Sequence, residues 1–216
     1  MEQNELISLL SKYDTPEISD ALDNLHINGA CLGIAPRSRN TEITGTVFTV
    51  KFEPVSPGVS AKAGDYIDDV PEGSVVVIDN GGIDNCTVWG DILTLVAGMR
   101  KLAGTVIDGS CRDLSVISSS DYPVFSKHAF MRTGKNRVRL ASVQENITLS
   151  GVTVNPGDFI RADKSGVIVV PKHNIELVLE GSQKIHEVED KIRSAVIGGM
   201  RLDEARRTFK YNQPLR

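Results

Sequence analysis

The stretch that decides the fold runs from residue 74 to residue 109, and it holds SVVVID at 74–79 and GTVIDG at 104–109. The first run is apolar up to its aspartate, which is typical of a strand buried on both faces of a sheet. Between the two runs, over residues 87–102, apolar side chains recur every three or four positions and predict a helix. A strand, a helix and a second strand in this order indicate a β-α-β unit with parallel strands and a right-handed crossover.

Hydrophobic periodicity and turn residues predict further elements on both sides of this unit. They are helices over 3–11 and 15–26, strands over 43–50, 138–143, 147–149, 152–154, 159–162 and 167–170, and helices over 174–197 and 202–209. Asp14 or Thr15 can cap the second helix, and Gly45 indicates a β-bulge in the first strand. We expect one α/β domain over residues 1–172 and a helical C-terminal arm over 173–216 that packs on a neighbouring subunit.

The composition narrows the class of protein. The 216 residues include 24 Lys and Arg and 28 Asp and Glu, with a formal net charge of -4, and 40% are hydrophobic. These values are typical of a soluble globular protein. The mild acidity does not favour a nucleic-acid-binding protein, which would carry a basic stripe. The three cysteines have no C-x-x-C spacing, so we expect neither a disulfide framework nor a thiolate zinc site.

The chain also lacks the sequence signals of export and of membrane insertion. The N-terminal run MEQNELISLL has two acidic residues before its short apolar stretch and does not resemble a signal peptide. No apolar run approaches the roughly 20 residues that span a bilayer. We expect a cytoplasmic protein with no membrane partner and no nucleic-acid partner.

Polar residues follow both strands of the β-α-β unit, at residues 79–82 and 108–113. Ligands of open parallel sheets gather at the carboxyl ends of the strands, so we expect these segments to converge. A helix that starts near Gly90 offers free backbone N–H groups to an anion. Arg112 offers a planar fork for a carboxylate, and Asp113 offers hard oxygen ligands for Mg²⁺ or Mn²⁺. Together these features predict a site for a small keto acid.

Simpler interpretations exist for each feature. An Arg-Asp pair after a strand is often only a local ion pair, and a Gly-Gly pair after an aspartate is often only a turn. Cys111 lies beside Arg112, but no histidine is near it in sequence, which does not favour a nucleophile. The four histidines have no metal-ligand spacing, and the dinucleotide, P-loop and zinc-protease motifs do not occur.

Several segments match, in order, the motifs of one known family. Gly90-Asp91 is followed by Arg112-Asp113, with 20 residues between Asp91 and Arg112, which looks like a D-x20-R-D signature. Residues 15–22, 33–37 and 157–167 are similar to the N-terminal helix, the next turn and the PGD stretch of the same family. The chain therefore resembles the RraA-like family, which includes class II 4-hydroxy-4-methyl-2-oxoglutarate/4-carboxy-4-hydroxy-2-oxoadipate aldolases and the regulator of ribonuclease activity A.

The resemblance implies an α/β fold of the swivelling β/β/α kind, assembled as a homotrimer or homohexamer with the site between subunits. It implies a small 2-keto acid as substrate, bound by Arg112 as the catalytic residue, and Mg²⁺ or Mn²⁺ bound by Asp113. The backbone amides that would hold the pyruvate-like carboxylate and enolate are those of Gly90, Asp91, Ile92 and Leu93. Glu189 resembles a family glutamate that reaches the site of a neighbouring subunit.

One position departs from the aldolase signature, which continues after Arg-Asp with two residues and then an acid. Val116 stands at that place, and the regulator-like branch of the family also lacks the acid. Two hypotheses follow. The chain is a metal-dependent carbon–carbon lyase that acts on a 2-keto acid through a pyruvate enolate, of the aldolase or oxaloacetate decarboxylase type, or it is a non-catalytic regulator that holds a protein partner such as a ribonuclease.

Overall fold

The computed structural model describes residues 1–56, 58–61 and 64–211 of the chain. Its helices are α1 (Gln3–Leu10), α2 (Thr15–Asn24), α3 (Asp91–Met99), α4 (Leu114–Ile117), α5 (Ile175–Ile197) and α6 (Leu202–Thr208). Its strands are β1 (Ala30–Cys31), β2 (Ala35–Pro36), β3 (Ile43–Pro54), β4 (Ser74–Trp89), β5 (Gly104–Cys111), β6 (Val124–Ala129), β7 (Val138–Val143), β8 (Ile147–Leu149), β9 (Val152–Val154), β10 (Phe159–Asp163) and β11 (Gly166–Val170). Short 3-10 turns at Ile67–Asp69 and Lys172–Asn174 precede β4 and α5.

The predicted β-α-β unit lies at the centre of a large mixed sheet. Over the described ranges this sheet has nine strands in the order β1-β11-β10-β3-β4-β5-β6-β2, and β7 also pairs with β3. The four central strands, β3 to β6, run parallel, whereas the flanking pairs are antiparallel. The segments that follow β4 and β5 therefore meet at one edge of the sheet, as the sequence predicted.

The start of β4 is buried on both faces of the sheet, which confirms the interpretation of its apolar run. Val75 and Val77 point into the core that also contains the β8–β9 hairpin. Val76 and Ile78 point into the opposite core, which contains Ala97 of α3. All four β4 side chains are fully buried. A continuous apolar run is what a strand with two covered faces requires.

The start of α2 is fixed by a capping box. The side chain of Asp14 accepts a hydrogen bond from the Glu17 N–H at 2.9 Å, and Glu17 accepts one from the Asp14 N–H at 3.0 Å. Asp14 is therefore the cap, one of the two predicted residues. Thr15 instead binds the buried carboxylate of Asp163 through its N–H and its hydroxyl, both at 2.8 Å.

The C-terminal helices begin inside the core of the chain itself. Val178 and Ile185 of α5 pack with Leu10, Ile18 and Phe159 in a third apolar cluster. The first half of the predicted arm thus covers the chain's own α1 and α2, and packing of the rest on a neighbouring subunit stays a prediction. Residues 212–216 of the arm lie outside the described residues. Across the described ranges, no helix combines the length and the apolar character needed to cross a membrane.

The predicted boundary between β4 and the following helix was wrong. The strand continues past Asp79 to Trp89, and α3 covers only Asp91–Met99 within the predicted range 87–102. The reason is long-range pairing: Thr87 lies opposite Ser110 and Trp89 opposite Cys111, with register shifts that let β4 bulge between these contacts. Hydrogen bonds to β5 therefore override the local helical periodicity.

Gly45 does not mark a bulge in β3. It pairs in regular register with Ile160, and the irregularity of β3 lies between Lys51 and Phe52. A Cβ atom at position 45 would lie 2.9 Å from the Val75 side chain and 3.0 Å from the Gly73 carbonyl oxygen. Glycine is needed here because the neighbouring strand approaches closely.

Candidate functional site

The candidate site is centred on the two residues that follow β5. The backbone N–H of Arg112 donates to the carbonyl oxygen of Trp89 at 3.0 Å, which joins the ends of β5 and β4. Asp113 has φ of 58° and lies in the left-handed region, so the chain turns sharply into α4. Nε of Arg112 lies 3.2 Å from Oδ2 of Asp113, and both side chains are about one-third exposed. A guanidinium and a carboxylate are thus held together at the edge of the sheet.

Gly90 brings the first turn of α3 against this pair. A Cβ atom at Gly90 would lie 2.5 Å from Oδ2 of Asp113 and 3.2 Å from Nε of Arg112. Both distances are shorter than a normal carbon contact, so any side chain at position 90 would displace the pair. The close approach explains why glycine occupies the cap of α3 here.

The N-terminal amides of α3 already bind carboxylate oxygens. The Asp91 N–H donates to Oδ2 of Asp113 at 3.1 Å, and the Ile92 N–H donates to Oδ1 of Asp91 at 2.8 Å. Both bonds place negative charge where the helix dipole favours it. An anion that binds to the Ile92 amide must replace the side chain of Asp91, which can rotate away because it is partly exposed to solvent.

Two residues that the sequence did not single out hold this helix start in place. The indole N–H of the buried Trp89 donates to Oγ1 of Thr94 at 2.9 Å, and the same hydroxyl donates to the Gly90 carbonyl oxygen at 2.9 Å. Trp89 also stacks on Tyr122, with ring centroids 6.4 Å apart. The only signal for Trp89 in the sequence is a bulky aromatic directly before a glycine, which many structural positions share.

The two polar segments that were predicted to converge, residues 79–82 and 108–113, lie side by side, but their first aspartates have a structural role. Asp79 and Asp108 lie opposite each other in the ladder. Asp79 accepts the Thr148 N–H at 3.3 Å, and Asp108 accepts the Ser150 N–H at 2.7 Å and lies 3.2 Å from Nζ of Lys127. These contacts fasten the β8–β9 hairpin to the sheet.

The structure places the predicted site residues in three different surroundings. Gly90, Asp91, Arg112 and Asp113 come together, although 20 residues lie between Asp91 and Arg112 in the sequence. Ile92 contributes only its backbone, since its side chain is 69% exposed, while the side chain of Leu93 packs against the core. Glu189 lies on α5, where its carboxylate pairs with Arg193 at 2.6 Å. That helix packs on α1, α2 and α6, so a role for Glu189 at a neighbouring site stays a prediction.

The described ranges contain no group of three or more His, Cys, Asp or Glu side chains placed to hold a metal ion together. Mg²⁺ is commonly held by one or two carboxylates and several waters. Asp113 supplies one such carboxylate, and its side chain is 32% exposed, so water can reach it. The donor set therefore fits a largely hydrated, hard cation rather than a closed cage of protein ligands.

Cys111 precedes Arg112 but is fully buried. Burial raises the pKa of its thiol, although a hydrogen bond with Ser126 opposes that rise. Nucleophilic cysteines are partly exposed and have a lowered pKa. The burial of Cys111 thus agrees with the expectation from the sequence that this residue is not a nucleophile.

An apolar patch borders the site on α3 and α4. Its residues are Ile92, Leu95, Met99, Leu114 and Val116, with exposures between 37% and 76%. The two helices contact each other, so these exposed side chains lie on neighbouring elements. Some apolar side chains of the predicted helix are thus exposed to solvent, while others pack into the core. Exposed apolar surface of this kind commonly marks an interaction site.

The model of the RraA-like family, described as Aldolase/RraA, matches residues 15–169. This range contains the sheet, α2 to α4 and all the residues that meet at the site. The chain belongs to the RraA-like family.

Two curated relatives illustrate the range of the family. Protein DlpA of Legionella pneumophila is 42% identical over 211 residues, which are 97% of this chain and 34% of DlpA. The chain therefore spans about one-third of the length of that relative. A Halalkalibacterium halodurans protein, named as a candidate 4-hydroxy-4-methyl-2-oxoglutarate aldolase, is 30% identical over 199 residues, which are 91% of each chain.

Solved structures confirm the fold. An uncharacterized protein from Pseudomonas syringae pv. tomato has a TM-score of 0.87 and 39% identity, and the match covers 94% of this chain and 97% of that one. RraAS2 of Streptomyces coelicolor, described as an unusual member of the RNase ES inhibitor RraA family, has a TM-score of 0.81 and covers 90% of this chain and 100% of its own. Its identity of 22% supports the fold alone. The predicted α/β, RraA-like fold is correct.

Proposed function

We propose that this chain is a divalent-metal-dependent carbon–carbon lyase. Its substrate would be a small 2-keto acid, cleaved or decarboxylated through a pyruvate enolate, as in a 4-hydroxy-4-methyl-2-oxoglutarate aldolase or an oxaloacetate decarboxylase. The observation that carries the proposal is the convergence of the α3 N-terminus, Arg112 and Asp113 on one spot. A local ion pair alone would not require a helix start and a glycine without a Cβ atom at the same place.

Arg112 is the residue that we assign to the substrate carboxylate. Its guanidinium is partly exposed and is already oriented by Asp113. A planar fork binds a carboxylate with two parallel hydrogen bonds. The amide of Ile92 adds a donor at the positive end of α3 once the Asp91 side chain moves aside. These donors also favour the negative charge that develops on an enolate.

Asp113 is the residue that we assign to Mg²⁺ or Mn²⁺. Such an ion, when bound, would act as a Lewis acid toward the 2-keto oxygen. The amide of Asp91 and the guanidinium of Arg112 both contact Oδ2 of Asp113 and keep its carboxylate in one orientation. Orientation of a metal-binding carboxylate by surrounding donors is a general feature of metal sites.

A second copy of the chain is the occupant that we propose for the apolar patch of α3 and α4. The assembly would be a homotrimer or homohexamer in which the patch is buried beside the site. Glu189 of a neighbouring subunit would then have a route to the site that a single chain does not give it. The exposed side chains of Ile92, Leu95 and Met99 support this proposal, because each would lose contact with water on association.

The test is steady-state turnover of oxaloacetate and of 4-hydroxy-4-methyl-2-oxoglutarate by the full chain, with Mg²⁺, with Mn²⁺ and with a chelator. We expect turnover that stops on chelation and returns with added metal. Asp113→Asn should lose metal-dependent turnover, while Asp121→Asn should not, because Asp121 belongs to an exposed Arg-Asp pair with Arg39. Turnover that survives chelation, or an Asp113→Asn variant as active as the wild type, would disprove the lyase proposal.

The alternative function is a non-catalytic regulator that binds a protein partner such as a ribonuclease. The observation that favours it is Val116, which is 49% exposed and stands where the aldolase signature has an acid. A regulator should inhibit a partner ribonuclease in a purified assay and show no turnover of either keto acid. The presence of turnover with no inhibition would favour the lyase.

A further inference from the structure

A cavity of ≈ 840 Å³ opens beside the irregular part of β4. Its walls come from residues 54–55 at the end of β3, residues 82–86 of β4 and the loop between β6 and β7. Arg112 and Asp113 are not among the described residues that line it. The cavity is therefore distinct from the candidate site, although both lie along the edge where the parallel strands end.

The charge of this cavity is opposite to the charge of the protein. Arg132, Lys135 and Arg137 line it, and among the described lining residues Asp84 is the only one with a carboxylate. The whole chain carries a net charge of -4. A concave surface with an excess of cations on an acidic protein concentrates small anions from solution.

The loop that carries the three cations is held in a defined conformation. The Arg137 guanidinium donates through Nη1 to the carbonyl oxygens of Thr133 and Lys135, at 3.2 and 3.3 Å. Gly134 rests directly on β4, because a Cβ atom there would lie 2.4 Å from the Thr87 carbonyl oxygen. The cations are thus presented from a loop fixed to the sheet, which reduces the entropy lost on binding.

The wall of the cavity also contains a buried thiol, that of Cys86, beside the three cations. Cys86 is 2% exposed. Burial raises the pKa of its thiol, and the positive charges of Arg137 and Arg132 oppose that rise. Arg132 and Arg137 line the same cavity, and the planar guanidinium of each can bind the oxygens of a carboxylate or a phosphate.

We propose that this cavity binds a small anion with two or more negative charges, either a di- or tricarboxylate or a phosphate. Arg132 and Arg137 would each donate to its oxygens, and Lys135 would add a third charge-assisted contact. The proposal does not depend on the lyase reaction, because none of its residues belongs to the candidate active site.

The experiment is calorimetric titration of the full chain with citrate and, separately, with inorganic phosphate, at constant ionic strength. We expect saturable binding, and the tighter of the two probes identifies the carboxylate or the phosphate source. The double variant Arg132→Gln/Lys135→Gln should bind about tenfold more weakly or worse, as expected for lost charge-assisted contacts. The matched control Lys12→Gln/Lys164→Gln removes the same charge from exposed positions outside the cavity and should bind like the wild type.

A third variant tests whether the charge of the cavity wall controls the affinity for the anion. Asp84→Asn removes the one carboxylate of the wall and should tighten binding about threefold, because it lowers the repulsion of the anion. Equal losses in the two double variants would show that only net charge matters and would overturn the proposal. Loss of binding in Arg112→Lys, or no saturable binding of either probe, would overturn it as well.

Discussion

The backbone N–H of Asp91 donates a hydrogen bond of 3.1 Å to Oδ2 of Asp113, and so joins the first residue of α3 to the residue that follows β5. The same oxygen lies 3.2 Å from Nε of Arg112. One carboxylate oxygen is therefore held between a helix N-terminus and a guanidinium, which both stabilise negative charge. This contact joins the crossover helix α3 to the end of β5. A substitution that breaks it should change both the stability of the protein and the activity of the site.

Gly90→Ala should damage the site directly. The new Cβ atom would lie 2.5 Å from Oδ2 of Asp113, so the carboxylate must move and metal-dependent kcat/KM should fall at least tenfold. Gly98→Ala in the same helix is the matched control, because a Cβ atom there meets nothing within 4 Å. That control should keep its activity and gain roughly 1 kcal/mol of stability from better helix propensity. Kinetics and thermal unfolding of both variants measure the difference, and equal activities would contradict the role of Gly90.

Arg112→Lys should weaken catalysis more than a conservative change suggests. Lysine keeps the charge but cannot present the planar fork to a carboxylate. The lost contact is worth about 1.5–3 kcal/mol, or roughly ten- to a hundredfold in kcat/KM. The same exchange at Arg39, in the exposed pair with Asp121, should leave kinetics unchanged. Wild-type kinetics in Arg112→Lys, with the fold verified by circular dichroism, would remove Arg112 from the mechanism.

Val116→Asp should raise aldolase activity if this valine is what weakens it. The side chain is 49% exposed on α4, three residues after Asp113, so an acid there meets little steric resistance. Ser115→Asp adds the same charge one position away, on an exposed residue, and serves as the control. We expect higher turnover of 4-hydroxy-4-methyl-2-oxoglutarate only in the first variant. A gain in neither turnover nor metal affinity would place the divergence elsewhere in the pocket.

Met99→Glu should dissociate the proposed oligomer. Met99 is 76% exposed within the apolar patch of α3 and α4, and a charge there would have to be buried on association. Leu32→Glu changes an apolar residue that is 83% exposed on another surface and should leave the assembly intact. Light scattering gives the mass of each variant. A monomeric wild type at micromolar concentration would disprove the assembly, and an intact Met99→Glu oligomer would place the interface elsewhere.

The pair of His186 and Glu17 should make stability depend on pH. Nδ1 of His186 lies 2.6 Å from Oε1 of the buried Glu17. This hydrogen bond, and then the negative charges of Glu17 and Asp190, raise the pKa of His186 above its usual 6.5, against the opposing effects of burial and Arg193. A raised pKa in the folded state means that the stabilisation is complete below pH 6.5 and is lost as pH rises through the folded-state pKa.

His186→Gln is the variant that tests this dependence. Urea unfolding between about pH 5.5 and 8.5 should show the largest stability difference from the wild type at the acidic end, shrinking toward the alkaline end. His173→Gln, at an exposed position before α5, should show no such trend. A difference that grows with pH would contradict the assigned direction.

The β-α-β unit was predictable because burial on both faces imposes a continuous apolar run that few other structures share. The boundary between β4 and the helix of this unit was not predictable. Residues 87–89 fit the helical periodicity, yet they stay in β4 because they pair with residues 110–111 of β5. Gly90, Arg112 and Asp113 were predicted from the ends of the two strands, and the family motif added Asp91, Ile92, Leu93 and Glu189. Trp89 and Thr94, which hold the start of α3, carry no motif of their own.

Most helices and strands could thus be derived from the residues alone, since apolar runs, caps and turn residues act over a few positions, whereas β1, β2 and β6 were not predicted. Which groups touch was decided only in three dimensions. The contact between the Asp91 amide and Asp113 depends on the bulged register of β4 against β5, which is set by hydrogen bonds between distant segments. The exposure of Ile92, Leu95 and Met99 depends likewise on what packs over α3, because an apolar helix face looks the same in sequence whether it meets the chain's own core or another surface.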